Sequence, residues 1–216
     1  APPTGISQED LDEYFKIRRR ILTLKKYIEL SEDPEEQYKF KEELAIRYSE
    51  LGFEQKATEV MEDIGNNHPD IGRRAATQHQ LATMYATEDY ELYDPNLAIS
   101  HFEEFEERYP EEVGETDVFF QLFRLYAKQG NIGKISEYYR NIESETPDYL
   151  PQVAEVLAEK EDEEVFTERM EDAVKKQRDI MATTTDPEKR SAAEKELTSL
   201  RKILVQFYTK RIENIK

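Results

Sequence analysis

Residues 96–110 read NLAISHFEEFEERYP and put Glu103, Glu104, Glu106 and Glu107 into a five-residue window. Carboxylates that close could hold a metal ion or exchange protons with a substrate. On a helix Glu103 and Glu107 stand i,i+4 on one face, with Glu104 beside them. A carboxylate di-metal site in a helical bundle also uses Glu-x-x-His pairs that project inward. Gly65, Ala76 and Ala98 stand three residues before His68, His79 and His101, so no such pair is present. The glutamates therefore read as the wetted side of a helix whose Phe102, Phe105 and Tyr109 face a core.

The other chemistry-bearing residues are scattered. His68 precedes a proline and reads as a turn residue. His79 reads as structural or as a partner contact. There is no Ser/His/Asp arrangement, HExxH, Walker loop or GxGxxG. With no cysteine in the chain, disulfides, zinc–thiolate sites and thiol nucleophiles are excluded. The expectation is a non-enzyme with no cofactor, no metal and no catalytic residues.

The charge balance narrows the partners. The chain has 216 residues, 48 acidic against 30 basic, and a formal net charge of −18. Such a charge opposes binding to nucleic acid or to anionic lipid, both of which need cations to neutralise phosphates. No apolar run approaches the ~18 residues needed to span a bilayer, so no direct membrane insertion is expected. One basic cluster, KIRRRILTLKK at 16–26, reads as a solvated face or as a dock for an acidic partner surface. Its acidic counterpart, AEKEDEEVFTERMEDA at 158–173, leaves Val165, Phe166, Met170 and Ala173 as an apolar stripe, which points to a charged helix. The chain begins APPTG without a methionine. That fits a processed leader, organellar or periplasmic, and fits simple methionine removal in the cytoplasm equally, so the compartment stays open.

Helix punctuation is dense. Ser7 with Asp10 three residues on forms an N-cap pattern. Asp33-Pro34, Asp94-Pro95 and Asp186-Pro187 each set a capping Asp before a proline suited to the first helical position. Gly52, Gly65 and Gly130 follow apolar-periodic segments, where a left-handed C-cap suits glycine. Ten helices are predicted, near 7–30, 34–51, 53–65, 71–88, 95–109, 116–129, 131–144, 148–160, 162–181 and 187–215. The fold class is all-α.

An internal repeat organises them. Leu44, Ala45, Tyr48, Gly52, Ala57, Met61, Ile64 and Pro69 match Leu122, Phe123, Tyr126, Gly130, Ile135, Tyr139, Ile142 and Pro147 in spacing. Ala45 to Pro69 and Phe123 to Pro147 each span 24 positions. A middle copy, Leu81, Ala82, Tyr85, Ala98, Phe102, Phe105 and Pro110, carries four extra residues around EDYELYD, which lengthens a turn and is expected to expose Tyr90 and Tyr93. These copies resemble the tetratricopeptide repeat (TPR) family over residues 38–147. Phe123 and Phe105 depart from its pattern by replacing small residues, which implies wider helix spacing there.

The resemblance implies a right-handed helical-hairpin solenoid with long N- and C-terminal capping helices. Its parts would be an N-terminal extension and capping helix (1–37), three repeats (38–147), a degenerate fourth repeat through Ala154, Leu157, Phe166, Met170 and Ala173 (148–182), and a C-terminal helix (183–216). Tyr14, Ile17, Ile21, Leu24 and Ile28 stripe the first helix. Ala193, Leu197, Leu200, Leu204 and Phe207 stripe the last, widened by Ile203, Ile212 and Ile215. Such helices cap an array or pack on another chain.

The family's concave groove, carried over by register, falls on Lys39, Glu42, Ile46, Ser49 and Glu50. It continues on Ala76, His79, Thr83, Ala86 and Thr87, and then on Asp117, Phe120, Arg124, Ala127 and Lys128. The subfamily that clamps chaperone tails uses a Lys and an Asn where this chain has Glu42 and Ile46, so that carboxylate clamp is absent. Further partner contacts are expected at Tyr90 and Tyr93 in the insertion turn and at Arg18, Arg19, Leu204 and Phe207 near the ends. The implied function is a non-catalytic protein–protein interaction scaffold, an accessory subunit or assembly factor of a larger complex. A bacterial envelope adaptor of the same family is one alternative. A pentatricopeptide-like RNA binder, disfavoured by the net charge, is another.

Overall fold

The computed structural model describes residues 7–159 and 163–215. Among them are ten α-helices, two short 3-10 turns and no strand. The chain forms two compact units that meet in sequence at Tyr109 and Pro110.

The first unit contains α1 (Gln8–Leu30), α2 (Pro34–Glu50), α3 (Glu54–Asn67), α4 (Ile71–Ala86) and α5 (Pro95–Arg108). Each helix packs chiefly on its neighbour in sequence. The starts are set locally. The Ser7 hydroxyl accepts from the Asp10 N–H while the Asp10 carboxylate accepts from the Ser7 N–H, a reciprocal cap. Asp33 and Asp94 cap α2 and α5 ahead of their prolines. Asp70 caps α4 without a proline, its carboxylate accepting from the Arg73 N–H at 2.9 Å. Ile21, Leu24, Leu44, Tyr48 and Ala57 form one buried cluster through α1, α2 and α3. Leu81, Ala82, Ala98, Phe102 and Phe105 close the core between α4 and α5.

The second unit contains α6 (Val118–Gln129), α7 (Ile132–Glu145), α8 (Leu150–Ala158), α9 (Glu163–Thr183) and α10 (Pro187–Ile215). Here α10 packs against α7, α8 and α9 together. Its Ala193, Leu197, Leu200, Ile203 and Phe207 are all buried. Polar ties fasten it to α7: Arg140 pairs with Glu196, Lys202 with Glu143, and the Gln206 amide donates to the Tyr139 hydroxyl. Asp186 caps α10 through the Glu188 N–H at 2.9 Å.

Several expectations change. The helix expected at 148–160 begins as a 3-10 turn over Pro147–Tyr149 and becomes α-helical at Leu150; its expected end at residue 160, like the expected start of the next at 162, lies outside the described residues. Within 148–182, α8 and α9 pack more extensively on α10 than on each other. Gly52 and Gly130 adopt the left-handed conformation, with φ of 70° and 67°. Gly65 does not: it lies inside α3, where a Cβ would come within 3.0–3.2 Å of the Gln78 side chain. Its small size serves the close approach of α3 and α4 rather than a cap. Ile215 lies in α10, with its side chain outside the described residues.

Candidate partner-binding groove

The groove follows from how α2, α3 and α4 are spaced. α2 and α3 pack together, as do α3 and α4, so α3 forms a floor between the other two. Met61 and Ile64 of α3 and Ala45 of α2 line that floor. Ile46 and Glu42 stand on the α2 wall, and Arg73, Thr77, Gln80 and Met84 on the α4 wall. The space between them measures about 630 Å³. Ile46 is 56% exposed, a large aliphatic side chain left in water. Burying it would contribute roughly 1–2 kcal/mol.

Charged groups hold the two ends. The Arg73 guanidinium meets the Glu42 carboxylate at 2.6 Å across the gap. At the other end the Tyr90 hydroxyl donates to the Glu54 carboxylate at 2.8 Å, and the Ser49 hydroxyl donates to the same oxygen at 3.2 Å. Burial and the neighbouring carboxylate hold the Tyr90 phenol above its ordinary pKa. Tyr90 thus folds back over the groove instead of projecting from an exposed turn. Tyr93 is half-buried too, because the connection tightens through Tyr93 N–H to Tyr90 carbonyl and Asp94 N–H to Tyr85 carbonyl bonds of 3.0 Å each.

The structure brings Glu42, Ile46, Ser49, Glu50, Ala76 and Tyr90 to this groove, all expected there or in the insertion turn. His79, Thr83 and Thr87 line an adjoining depression of about 410 Å³ with Tyr90. Lys39 pairs with Glu35 at 3.6 Å and does not line the groove. Ala86 is buried and unavailable. The α4 stripe that faces the groove is Arg73, Thr77, Gln80 and Met84, rotated from the expected one. The cause is His79, whose ring packs edge-on against Phe102 and Phe105, 5.8 Å from each centroid, turning that side of α4 toward α5. The legible signal was the i, i+4, i+7, i+11 spacing of those four residues opposite Ala75, Gln78 and Ala82.

In the second unit Phe120 stacks on Tyr149 at 5.5 Å, the half-buried Arg124 bonds Gln121, and Lys128 is exposed. Asp117 accepts from the Gln121 amide at 2.6 Å, and Ala127 is fully buried. Leu204 is half-buried. Phe207 is fully buried with its ring 5.0 Å from Phe166; it serves the core of its unit and offers no surface to a partner. Arg18 and Arg19 are exposed on α1.

The remaining chemical candidates resolve structurally. Phe102 and Phe105 are buried. Glu107 is exposed, while Glu103, Glu104 and Glu106 are partly so, and Glu104 pairs with Arg108 at 3.0 Å. His68, expected in a turn, is also buried: its Nδ1 accepts from the Asp70 N–H and its ring lies 4.7 Å from Tyr38. His101 stacks on Tyr85, and burial holds its pKa below the ordinary value. Among the described residues no group of three or more His, Cys, Asp or Glu could hold a metal ion. No helix among them is long and apolar enough to cross a membrane. Compared with protein-family models, curated proteins and solved structures, the chain matches none. The groove has an apolar floor, an exposed aliphatic wall and a charged rim.

Proposed function

We propose that the chain is a non-catalytic protein–protein interaction scaffold, an accessory subunit or assembly factor of a larger complex, built on TPR-like repeats. The observation that carries this reading is the α2/α4 groove, with Ile46 exposed between a fixed ion pair and the Tyr90–Glu54 bond. The repeat register supports it. α3, α5 and α7 each end one residue before a cap that is followed by proline: His68-Pro69, Tyr109-Pro110 and Thr146-Pro147. An amphipathic partner helix that lays apolar side chains on Ile46, Met61 and Met84 fits that space.

Affinity purification of the full chain from its native source, followed by cross-linking mass spectrometry, tests the reading. Cross-links from the groove to one stoichiometric partner, lost with Ile46→Asp, are expected. A chain that purifies alone, with the same hydrogen-exchange protection in lysate as in isolation, overturns it. Salt-sensitive RNA retention on a filter at low salt would favour the RNA-binding alternative instead.

A further inference from the structure

The outward face of α1 combines exposed cations with exposed apolar side chains. Residues 14–28 hold six cations and no acid. Arg20 is engaged by Glu43 of α2 at 2.6 Å, and the Lys25 ammonium lies 5.7 Å from the Tyr48 ring centre. Arg18, Arg19 and Lys26 are exposed and make no ion pair among the described residues; Arg18 lies 5.6 Å from the Tyr14 ring centre, and the Arg19 Nε donates to the Phe15 carbonyl at 3.4 Å. Elsewhere Arg47, Arg73, Arg108, Lys134, Arg140 and Lys202 each meet one of the chain's own carboxylates.

That face is also apolar. Phe15 is 52%, Leu22 68% and Leu30 67% exposed. Phe15, Arg19, Leu22 and Lys26 recur at i, i+4, i+7 and i+11 and share one stripe, opposite the buried Ile21 and Leu24. Seven residues separate the two large side chains, the interval at which a second helix laid alongside presents matching knobs. Cations beside such a seam select a partner with acidic flanks.

We infer that the outward face of α1 docks an acidic amphipathic helix of a partner protein, its apolar stripe over Phe15 and Leu22 and its carboxylates on Arg18, Arg19 and Lys26. This rests on the scaffold reading above and adds a second docking surface of stated chemistry. An anionic bilayer is the poorer fit, because the net charge of −18 repels it.

The test uses the full chain and a labelled three-heptad peptide with leucine at the two core positions of each heptad and glutamate at the flanks. Controls are a scrambled peptide of the same composition, the Glu-to-Lys peptide, and phosphatidylserine vesicles. The striped acidic peptide is expected to bind about tenfold or more tightly than the scrambled one. That binding should weaken about tenfold or more with Leu22→Ser and with Arg19→Glu, and stay unchanged with Ile46→Asp. Circular dichroism should show both α1 variants folded, since neither residue is buried. Equal binding of striped and scrambled peptides overturns the inference, as does no binding or binding of vesicles alone. Binding lost with Ile46→Asp but kept in both α1 variants sinks this inference while leaving the scaffold reading intact.

Discussion

The two units solve the same problem, hiding the apolar faces of five helices, in opposite ways. In the first, burial is passed along the chain: α1 on α2, α2 on α3, α3 on α4, α4 on α5. Each contact is local, and the ends of such a series stay open. Hence α1 covers α2 with one face and leaves the other in water, and α2 and α4 stand apart over α3. In the second, α10 returns across α7, α8 and α9 and covers what α8 and α9 do not cover for each other. Sequential packing thus leaves the α2/α4 groove open, whereas α10 buries Ala193, Leu197, Leu200, Ile203 and Phe207 on one face and leaves Val205, Tyr208 and Ile212 exposed on another.

Removing the closing helix should break this contrast most severely. A chain ended at Thr184 loses the cover over α7, α8 and α9, and the second unit is expected to lose cooperative unfolding altogether. Deleting α1 instead should leave α2–α5 helical, because α1 packs chiefly on α2. Hydrogen exchange resolved by segment reads both outcomes; protection retained in α7–α9 without α10 would erase the distinction.

Within the closed unit, Phe207→Ala empties a fully buried site against Phe166. A loss of about 3–5 kcal/mol is expected, read from urea denaturation and confined to the second unit's transition.

The two left-handed glycines sharpen the contrast at smaller scale. Gly52→Ala, in the first unit, has no atom within 4 Å of the new Cβ and tests backbone strain alone, about 1–2 kcal/mol. Gly130→Ala, in the second, carries the same strain and also puts its Cβ at Arg169, whose guanidinium donates to the Gly130 carbonyl at 3.3 Å. Arg169 meets the new Cβ only with the end of a flexible, exposed side chain, so the second variant should be the less stable by no more than the loss of that bond.

The smallest expected effect is in pH. Burial lowers the His101 pKa, opposed by Glu104 and Glu62, while its ring stacks on Tyr85. A group with a folded pKa below its unfolded value contributes stability that is present above the unfolded pKa. That contribution is lost as pH falls from about 6.5 through the folded pKa. The first unit's Tm should therefore drop on acidification from neutral pH, and His101→Gln should flatten the drop.

Much of the fold was legible because its causes are local. The Ser7–Asp10 cap, the Asp-Pro starts and the cap-Pro ends act within a few residues, so helix bounds follow from neighbours in sequence. The groove was legible in part. Glu42 and Ile46 follow from the repeat register, but the facing stripe on α4 depends on how His79 meets Phe102 and Phe105, across a turn lengthened by insertion. Tyr90 was expected at a surface for the same reason: nothing near it in sequence announces Glu54, which lies in the preceding helical pair. Phe207 looked like an interface residue because periodicity marks a buried stripe without saying whose atoms bury it.

Ten helices, several of their caps, the repeat spacing and an acidic surface with one basic stretch can be read from the residues alone, because all are properties of short range. Which stripes are satisfied within the chain and which remain in water depends on how the helices pack. Periodicity is a property of one helix, whereas burial belongs to a pair. α1 packs chiefly on one helix and leaves Phe15 and Leu22 exposed, while α10 packs on three and still leaves Val205 and Ile212 exposed beyond its buried stripe.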